Sequence, residues 1–117
     1  MNPRKFKFIN LTPHTVRIIH NEDVIEIPPS GTVARVDTIR KQTGTINNIP
    51  VYSVRYTSIN LPDPELYTFY IVSSLVQQYA PWRKDLVSPD TSPDSVVRDG
   101  DGNIVAVRGL MRLGDAS

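Results

Sequence analysis

Thr15-Val16-Arg17-Ile18-Ile19-His20-Asn21-Glu22-Asp23-Val24-Ile25-Glu26-Ile27 reads as strand, turn, strand. Val and Ile branch at Cβ, which stiffens the side chain, suits a pleated strand and disfavours a helix. Asn21-Glu22-Asp23 interrupts the apolar run with turn-forming residues, so the two halves pair as a hairpin. Upstream, Lys5-Phe6-Lys7-Phe8-Ile9-Asn10 alternates polar and apolar, the pattern of a half-buried strand, and Leu11-Thr12-Pro13-His14 breaks it. Downstream, Pro28-Pro29-Ser30-Gly31 is a second break, and Thr32-Val33-Ala34-Arg35-Val36 reads as a fourth strand.

The pattern weakens from residue 37 to residue 48, where Lys41-Gln42-Thr43-Gly44 and Asn47-Asn48 have loop or hairpin-end composition. Val51-Tyr52-Ser53-Val54-Arg55-Tyr56 alternates again and is a fifth strand. Leu61-Pro62-Asp63-Pro64 is excluded from a central strand by its two prolines, which lack donors. Thr68-Phe69-Tyr70-Ile71-Val72 is almost continuously apolar, as a strand buried on both faces is. Ser74-Leu75-Val76-Gln77 has the Ser-x-x-Gln form of a capping box, which predicts a short helix over residues 75–79, ended by Pro81. Residues 82–93 read as irregular. Val96-Val97-Arg98 and Ile104-Val105-Ala106-Val107-Arg108 read as a final hairpin around Asp99-Gly100-Asp101-Gly102-Asn103.

Composition agrees with this reading. Val and Ile together number 24, against 7 Leu and 4 Ala, and 10 prolines break up long helices. The expected fold is mainly β: a single-domain antiparallel sheet or partly closed barrel with one short helix. The domain spans residues 1–117, with a core at about residues 5–110 and a flexible tail at 111–117. At 117 residues the chain suits one hydrophobic core and is too short for a cofactor domain beside a substrate domain.

The 117 residues include no cysteine, which excludes disulfides, Cys-ligated zinc, iron–sulfur clusters and a thiol nucleophile. A formal net charge of +1 argues against a partner that is a nucleic acid polymer, whose binders carry a strong basic excess. No apolar stretch has the length of a signal peptide or a membrane span, so the expectation is a cytoplasmic protein with no membrane partner.

Motifs for catalysis are missing. Asp99, Asp101 and Asn103 resemble the start of a calcium loop, but position 12 of that loop is Leu110 rather than glutamate, so the stretch reads as a hairpin turn. His14 and His20 are followed two positions later by Val16 and Glu22, not by the hydroxyl residues of a paired His-x-Thr/Ser phosphoesterase. No zinc-protease, nucleophile-elbow or phosphate-loop motif occurs. The expectation is no catalytic residue, no metal and no cofactor. A hydrolase would have to rely on His14 with Asp85 or Asp90.

Nine arginines stand against four lysines. A guanidinium forks onto phosphate or carboxylate, so an arginine bias in a nearly neutral chain points either to fixed ion pairs or to an anion site. Tyrosine predominates among the aromatics, and Tyr56 and Trp82 fall at element ends, where a flat ring can stack on a base. The candidate ligand site therefore joins Arg35, Arg83, Arg98 and Arg108 as phosphate partners to Tyr56 or Trp82 as the stacking ring. Asn10, Thr12, His14 and Ser73 would read polar edges.

Asn10-Leu11-Thr12-Pro13-His14, Pro29-Ser30-Gly31 with Ala34-Arg35, Leu61-Pro62-x-Pro64, Tyr70-Ile71-Val72-Ser73, Arg83-x-Asp85, Arg98-Asp99-x-x-Gly102-x-Ile104 and Val107-Arg108 occur in this order. Over about residues 7–110 the chain resembles a family of small, mostly uncharacterised proteins of bacteriophages and bacterial chromosomes. The resemblance implies a phage setting, in which one strategy is a non-enzymatic anti-defence sponge. Such a protein binds and sequesters a small phosphorylated nucleotide immune signal, a cyclic oligonucleotide or an ADP-ribose derivative, in the host cytoplasm. The alternatives are a structural or interaction module for a host or virion protein and a hydrolase of the same signals. A small β domain has strand edges to cover, so a homo-oligomer is expected under each.

Overall fold

Ten strands and one short helix make up the described part of the computed structural model, residues 5–114. In chain order they are β1 (Lys7–Asn10), β2 (Val16–His20), β3 (Asp23–Ile27), β4 (Val36–Ile46), β5 (Ile49–Ile59), β6 (Thr68–Ile71), α1 (Ser74–Tyr79), β7 (Leu86–Pro89), β8 (Val96–Arg98), β9 (Ile104–Val107) and β10 (Leu110–Met111). The fold is mainly β with one short helix. The described strands do not close into a barrel; they form two four-stranded sheets and a separate two-stranded ribbon.

The first sheet runs β1-β6-β7-β10 and is mixed rather than antiparallel: β6 is parallel to both β1 and β7, and β10 is antiparallel to β7. Its central strand is buried on both faces, as an apolar run of this kind requires. Tyr70 faces a core made with Leu11, Ala34, Val72, Val76 and Leu86 under α1. Ile71 points the other way, into a second core with Val16, Ile18, Val87 and Val107. Those last partners belong largely to the second sheet, ordered β3-β2-β9-β8, so the body is three layers: helix, mixed sheet, second sheet.

The β2–β3 hairpin turns through Asn21 and Glu22, both at positive φ (49° and 69°). The β8–β9 turn is held by the Asp99 carboxylate, which accepts the N–H groups of Asp101 at 2.9 Å and Asn103 at 3.0 Å. The Asp99 carboxylate serves the turn, in keeping with the hairpin reading.

Several local expectations change. Residues 32–35 are extended but form no strand: Ala34 N–H donates to the Leu11 carbonyl at 2.9 Å, and the Asn60 side chain bridges the Arg35 N–H and the Val33 carbonyl. Residues 37–48, where the sequence pattern weakens, form most of β4 and the turn to β5; residues 41–44 lie within the strand, and Asn47-Asn48 is a hairpin end. Past Val36 the side chains of β4 are exposed on both faces, so no polar–apolar alternation is imposed on it. The turn residues Asn47 and Asn48 have φ of 50° and 65°, the two successive left-handed residues of a tight hairpin. The helix is capped by Ser73, not Ser74: Ser73 Oγ accepts the Val76 N–H at 3.2 Å. β7 lies inside the stretch expected to be irregular, because Leu86-Val87-Ser88 is a short run hidden between charged and proline-rich flanks. Met111, assigned to the tail, pairs with Ser88 in β10, while residues 115–117 of that tail lie outside the described residues.

Two buried polar side chains tie the layers together. Gln77, 3% exposed, donates from Nε2 to the Met111 carbonyl at 2.9 Å and the Leu86 carbonyl at 3.3 Å, and its Oε1 accepts the Ser88 hydroxyl at 2.7 Å. Asn10, 1% exposed, does the same at the end of β1 and leads to the candidate site.

Candidate functional site

β1, β6 and β7 run parallel, so their carboxyl ends lie side by side and release three loops on one edge of the sheet. In open sheets this is where ligands bind, because the loops diverge and leave a crevice. A groove of about 270 Å³ opens there. Thr12, His14 and Thr15 come from the loop after β1, Val72 and Ser73 from the end of β6, and Pro89 and Thr91 from the end of β7. The opposite wall is the second sheet, through Val16, Arg17, Ile104, Val105, Ala106 and Val107.

The loop after β1 is built on Asn10. Its Nδ2 donates to the His14 carbonyl at 2.8 Å and the Ile27 carbonyl at 2.9 Å; its Oδ1 accepts the Thr12 N–H at 2.9 Å and the Thr12 hydroxyl at 2.7 Å. Every polar atom of the buried amide is thus satisfied, and the backbone that carries His14 is locked to β1 and β3. Asn10 therefore supports the groove from beneath and does not line it. Ser73 Oγ caps α1 as an acceptor, which leaves its own hydrogen free to donate into the groove.

Arg17 is the guanidinium at this groove. Its Nε meets Glu26 Oε1 at 3.0 Å, and the two side chains are 50% and 56% exposed. An exposed single-contact pair of this kind holds its partners weakly. The groove thus combines an apolar wall, several hydroxyls and two groups, His14 and Arg17, that suit an anion.

The ten residues singled out in the sequence do not share one pocket. Thr12, His14 and Ser73 come together at the groove, above Asn10. Tyr56 and Trp82 line a different cleft of about 300 Å³ with Tyr79 and Val36, at the base of the ribbon. There the Tyr56 and Tyr79 rings lie with centroids 3.4 Å apart at 32°. The hydrogen bond to Tyr56, then burial, pushes the Tyr79 hydroxyl up to about 12.

The four arginines are scattered. Arg83 forks onto Asp85, with Nε to Oδ1 and Nη2 to Oδ2 both at 2.8 Å. This pair is largely shielded, at 13% and 18% exposure, and the Arg83 hydrogen bonds hold the Asp85 carboxyl below its ordinary value. Arg98 Nη1 donates to the Gly102 carbonyl of its own hairpin turn at 2.7 Å, and Arg108 Nη1 to the Val96 carbonyl at 3.2 Å. Arg35 is exposed beside the foot of β4. Arg35, Arg83, Arg98 and Arg108 therefore do not line the groove with Thr12, His14 and Ser73: Arg83 is held by Asp85, Arg98 by its hairpin turn and Arg108 by the Val96 carbonyl of β8.

For a hydrolase, Asp85 is engaged by Arg83, and Asp90 accepts the Ser92 N–H at 3.0 Å, the interaction that lowers its pKa most. Neither is hydrogen-bonded to His14 among the described residues. Among the described residues no group of three or more His, Asp or Glu is placed to hold a metal ion, and no helix is long and apolar enough to cross a membrane.

Arg17, Thr15 and Thr91 were missed as site residues. Arg17 was visible as the polar position between Val16 and Ile18, but nothing local in the sequence says which of nine arginines faces a crevice. Comparison with known proteins finds no matching family model, no matching curated protein and no matching solved structure.

Proposed function

We propose that the chain is a non-enzymatic binder that holds a small phosphorylated nucleotide in the groove at the carboxyl ends of β1, β6 and β7. The observation that carries this reading is the meeting of Thr12, His14, Arg17 and Ser73 in one groove with an apolar wall. A base lies against Val105 and Val107, hydroxyls on the rim take sugar or base edges, and His14 with Arg17 takes phosphate. At about 270 Å³ the groove encloses roughly one nucleotide, being at the small end of ligand pockets, so a larger signal extends out of its mouth.

In the phage setting that the resemblance implies, the ligand is a cyclic oligonucleotide or ADP-ribose derivative, sequestered in the host cytoplasm by an oligomer. Isothermal titration with a panel of these compounds tests the reading, followed by chromatography of the ligand released on denaturation. Heat with one compound and its intact recovery support a sponge. New products would make the protein an enzyme, and no heat with any compound would remove the reading.

A second reading, an interaction module for a host or virion protein, is favoured by the ribbon, which exposes Ile39, Ile46, Ile49, Tyr52 and Val54 by 44–65%. Pull-down from host lysate of one stoichiometric protein would select it.

A further inference from the structure

The β4–β5 arm has two strands of 11 residues each and belongs to neither four-stranded sheet. It gives the molecule a radius of gyration of 17.4 Å, against about 13 Å for a compact chain of this length. An isolated two-stranded hairpin is at best marginally stable in water, and a third strand on its edge would steady it.

The tight turn at Asn47-Asn48 makes Ile46 and Ile49 a hydrogen-bonded pair. Along β5, residues 49, 51, 53 and 55 therefore bond to β4, while Pro50, Tyr52, Val54 and Tyr56 turn their backbone groups outward. Among the described residues no further strand pairs with that edge.

The two edges of the arm differ. β4 carries Arg40, Lys41 and a bulge at Thr43, features that keep a free edge from recruiting another strand. From Ile49 to Tyr56, β5 has no bulge and one charge, Arg55. Ile49, Tyr52 and Val54 are 65%, 44% and 49% exposed. Pro50 sits at an outward position, where its missing N–H costs the arm no hydrogen bond.

β5 is also complementary to itself. Ser53 lies midway in the chain between the tip of the arm, residues 47–50, and its base, residues 56–59. The tip has no charge and ends in Ile49 and Pro50. The base lines the cleft of about 300 Å³ that holds Trp82, whose side chain is 66% exposed. Antiparallel pairing about a two-fold axis at Ser53 sets Tyr52 opposite Val54 of the second copy, Val51 opposite its Arg55 and Pro50 opposite its Tyr56. Outward-facing residues thus meet outward-facing residues, and Tyr52 and Val54 exchange both of their backbone hydrogen bonds. The Tyr52 ring rests on a branched side chain, no two like charges are opposed, and each tip arrives at the other copy's cleft. Along β4 the same operation fails. An axis at Arg40 or Lys41 sets that cation against itself, and an axis at Ile39 drives each tip into the other body.

We propose that two copies of this chain pair edge to edge through β5, about a two-fold axis at Ser53. The two arms become one four-stranded sheet, and each tip sits in the Tyr56–Trp82 cleft of the other copy. The paired stretch, residues 50–56, is about 24 Å long; with the seated tip it covers on the order of 500 Å² per copy, the size of a weak, reversible dimer. This inference concerns assembly and does not depend on what the groove binds.

The test is light scattering of the full chain over a concentration series. The mass is expected to rise from 13.1 kDa toward twice that value between about 1 and 100 µM. Trp82 is the one tryptophan, so its emission should move to the blue over the same range as the tip covers it. Val54→Pro removes an outward N–H that the arm itself does not use. It is expected to weaken association at least about tenfold and to abolish the emission shift. Ser53→Lys and Ser53→Glu each oppose like charges at the axis and are expected to weaken association alone. Their equimolar mixture, which sets opposite charges there, is expected to pair more tightly than either. Both positions are exposed, and circular dichroism checks folding; if Val54→Pro does not fold, the Ser53 variants decide. A wild type that stays monomeric at about 100 µM would overturn the proposal. So would association that these variants leave unchanged, a mixture no tighter than its parts, dimerisation without a Trp82 shift, or a β5 edge filled only by a strand of a different protein.

Discussion

The Asn10 side chain holds the backbone of His14: Nδ2 donates to the His14 carbonyl at 2.8 Å while Oδ1 binds Thr12 next to it. One buried amide thus sets the entry to the groove and closes β1 against β3 through Ile27. Asn10→Ala leaves two carbonyls and the Thr12 groups without it, and the expected loss is about 3 kcal/mol. Urea denaturation measures the loss. Proteolysis or hydrogen exchange localises the loosened segment to residues 11–15.

Binding should separate the groove from the rest of the arginines. His14→Ala and Arg17→Ala are each expected to weaken a phosphorylated ligand about tenfold, or about 1.4 kcal/mol, whereas Arg98→Ala, at a turn outside the groove, leaves affinity unchanged. Titration calorimetry of the three variants measures this. Equal losses in all three would place the ligand elsewhere.

Acid should loosen the body through Asp85. Its folded pKa lies below the unfolded value because Arg83 hydrogen-bonds the charged form, so the carboxylate stabilises the fold at pH values above the unfolded pKa. That stability is lost as the pH falls from near 4 through the lower folded value. Asp85→Asn is expected to flatten the decline in thermal midpoint over this range and to lower stability near pH 7 by about 2 kcal/mol, since Arg83 is left half-paired and largely shielded. Melting curves from pH 7 to 2.5 show both effects.

Gln77 joins α1 to β7 and β10 through Ser88 and the Met111 carbonyl. Gln77→Ala strands these buried groups, with an expected cost of about 2 kcal/mol. Hydrogen exchange should rise first at residues 110–111, because β10 is only two residues long and, among the described residues, pairs with β7 alone. Uniform exchange across the sheet would show that the network does not anchor that edge.

Much of the fold was legible because its signals are local. The β2–β3 and β8–β9 hairpins, the doubly buried β6 and the short helix each follow from branched residues, turn residues or an apolar run within a few positions. β4 was not legible: Arg40-Lys41-Gln42 has no inside face to encode, so the strand leaves no alternation. β7 was hidden for the opposite reason, being four residues long and covered on both sides. At the site, Thr12, His14 and Ser73 could be named from the breaks they occupy, but their company could not.

By itself the sequence determined a mainly β chain without cysteine chemistry, cut by proline and asparagine turns into short strands. Those properties depend on backbone preference and on side-chain type, which act over one to four residues. Only the tertiary structure decided that β1, β6 and β7 run parallel, that Arg17 rather than Arg83 or Arg98 faces the groove, and that Tyr56 and Trp82 stand apart from it. Each of these depends on which distant strands pair and on which partner lies nearest each charge. A guanidinium goes to the carboxylate or carbonyl within its reach, and reach is a property of the folded chain.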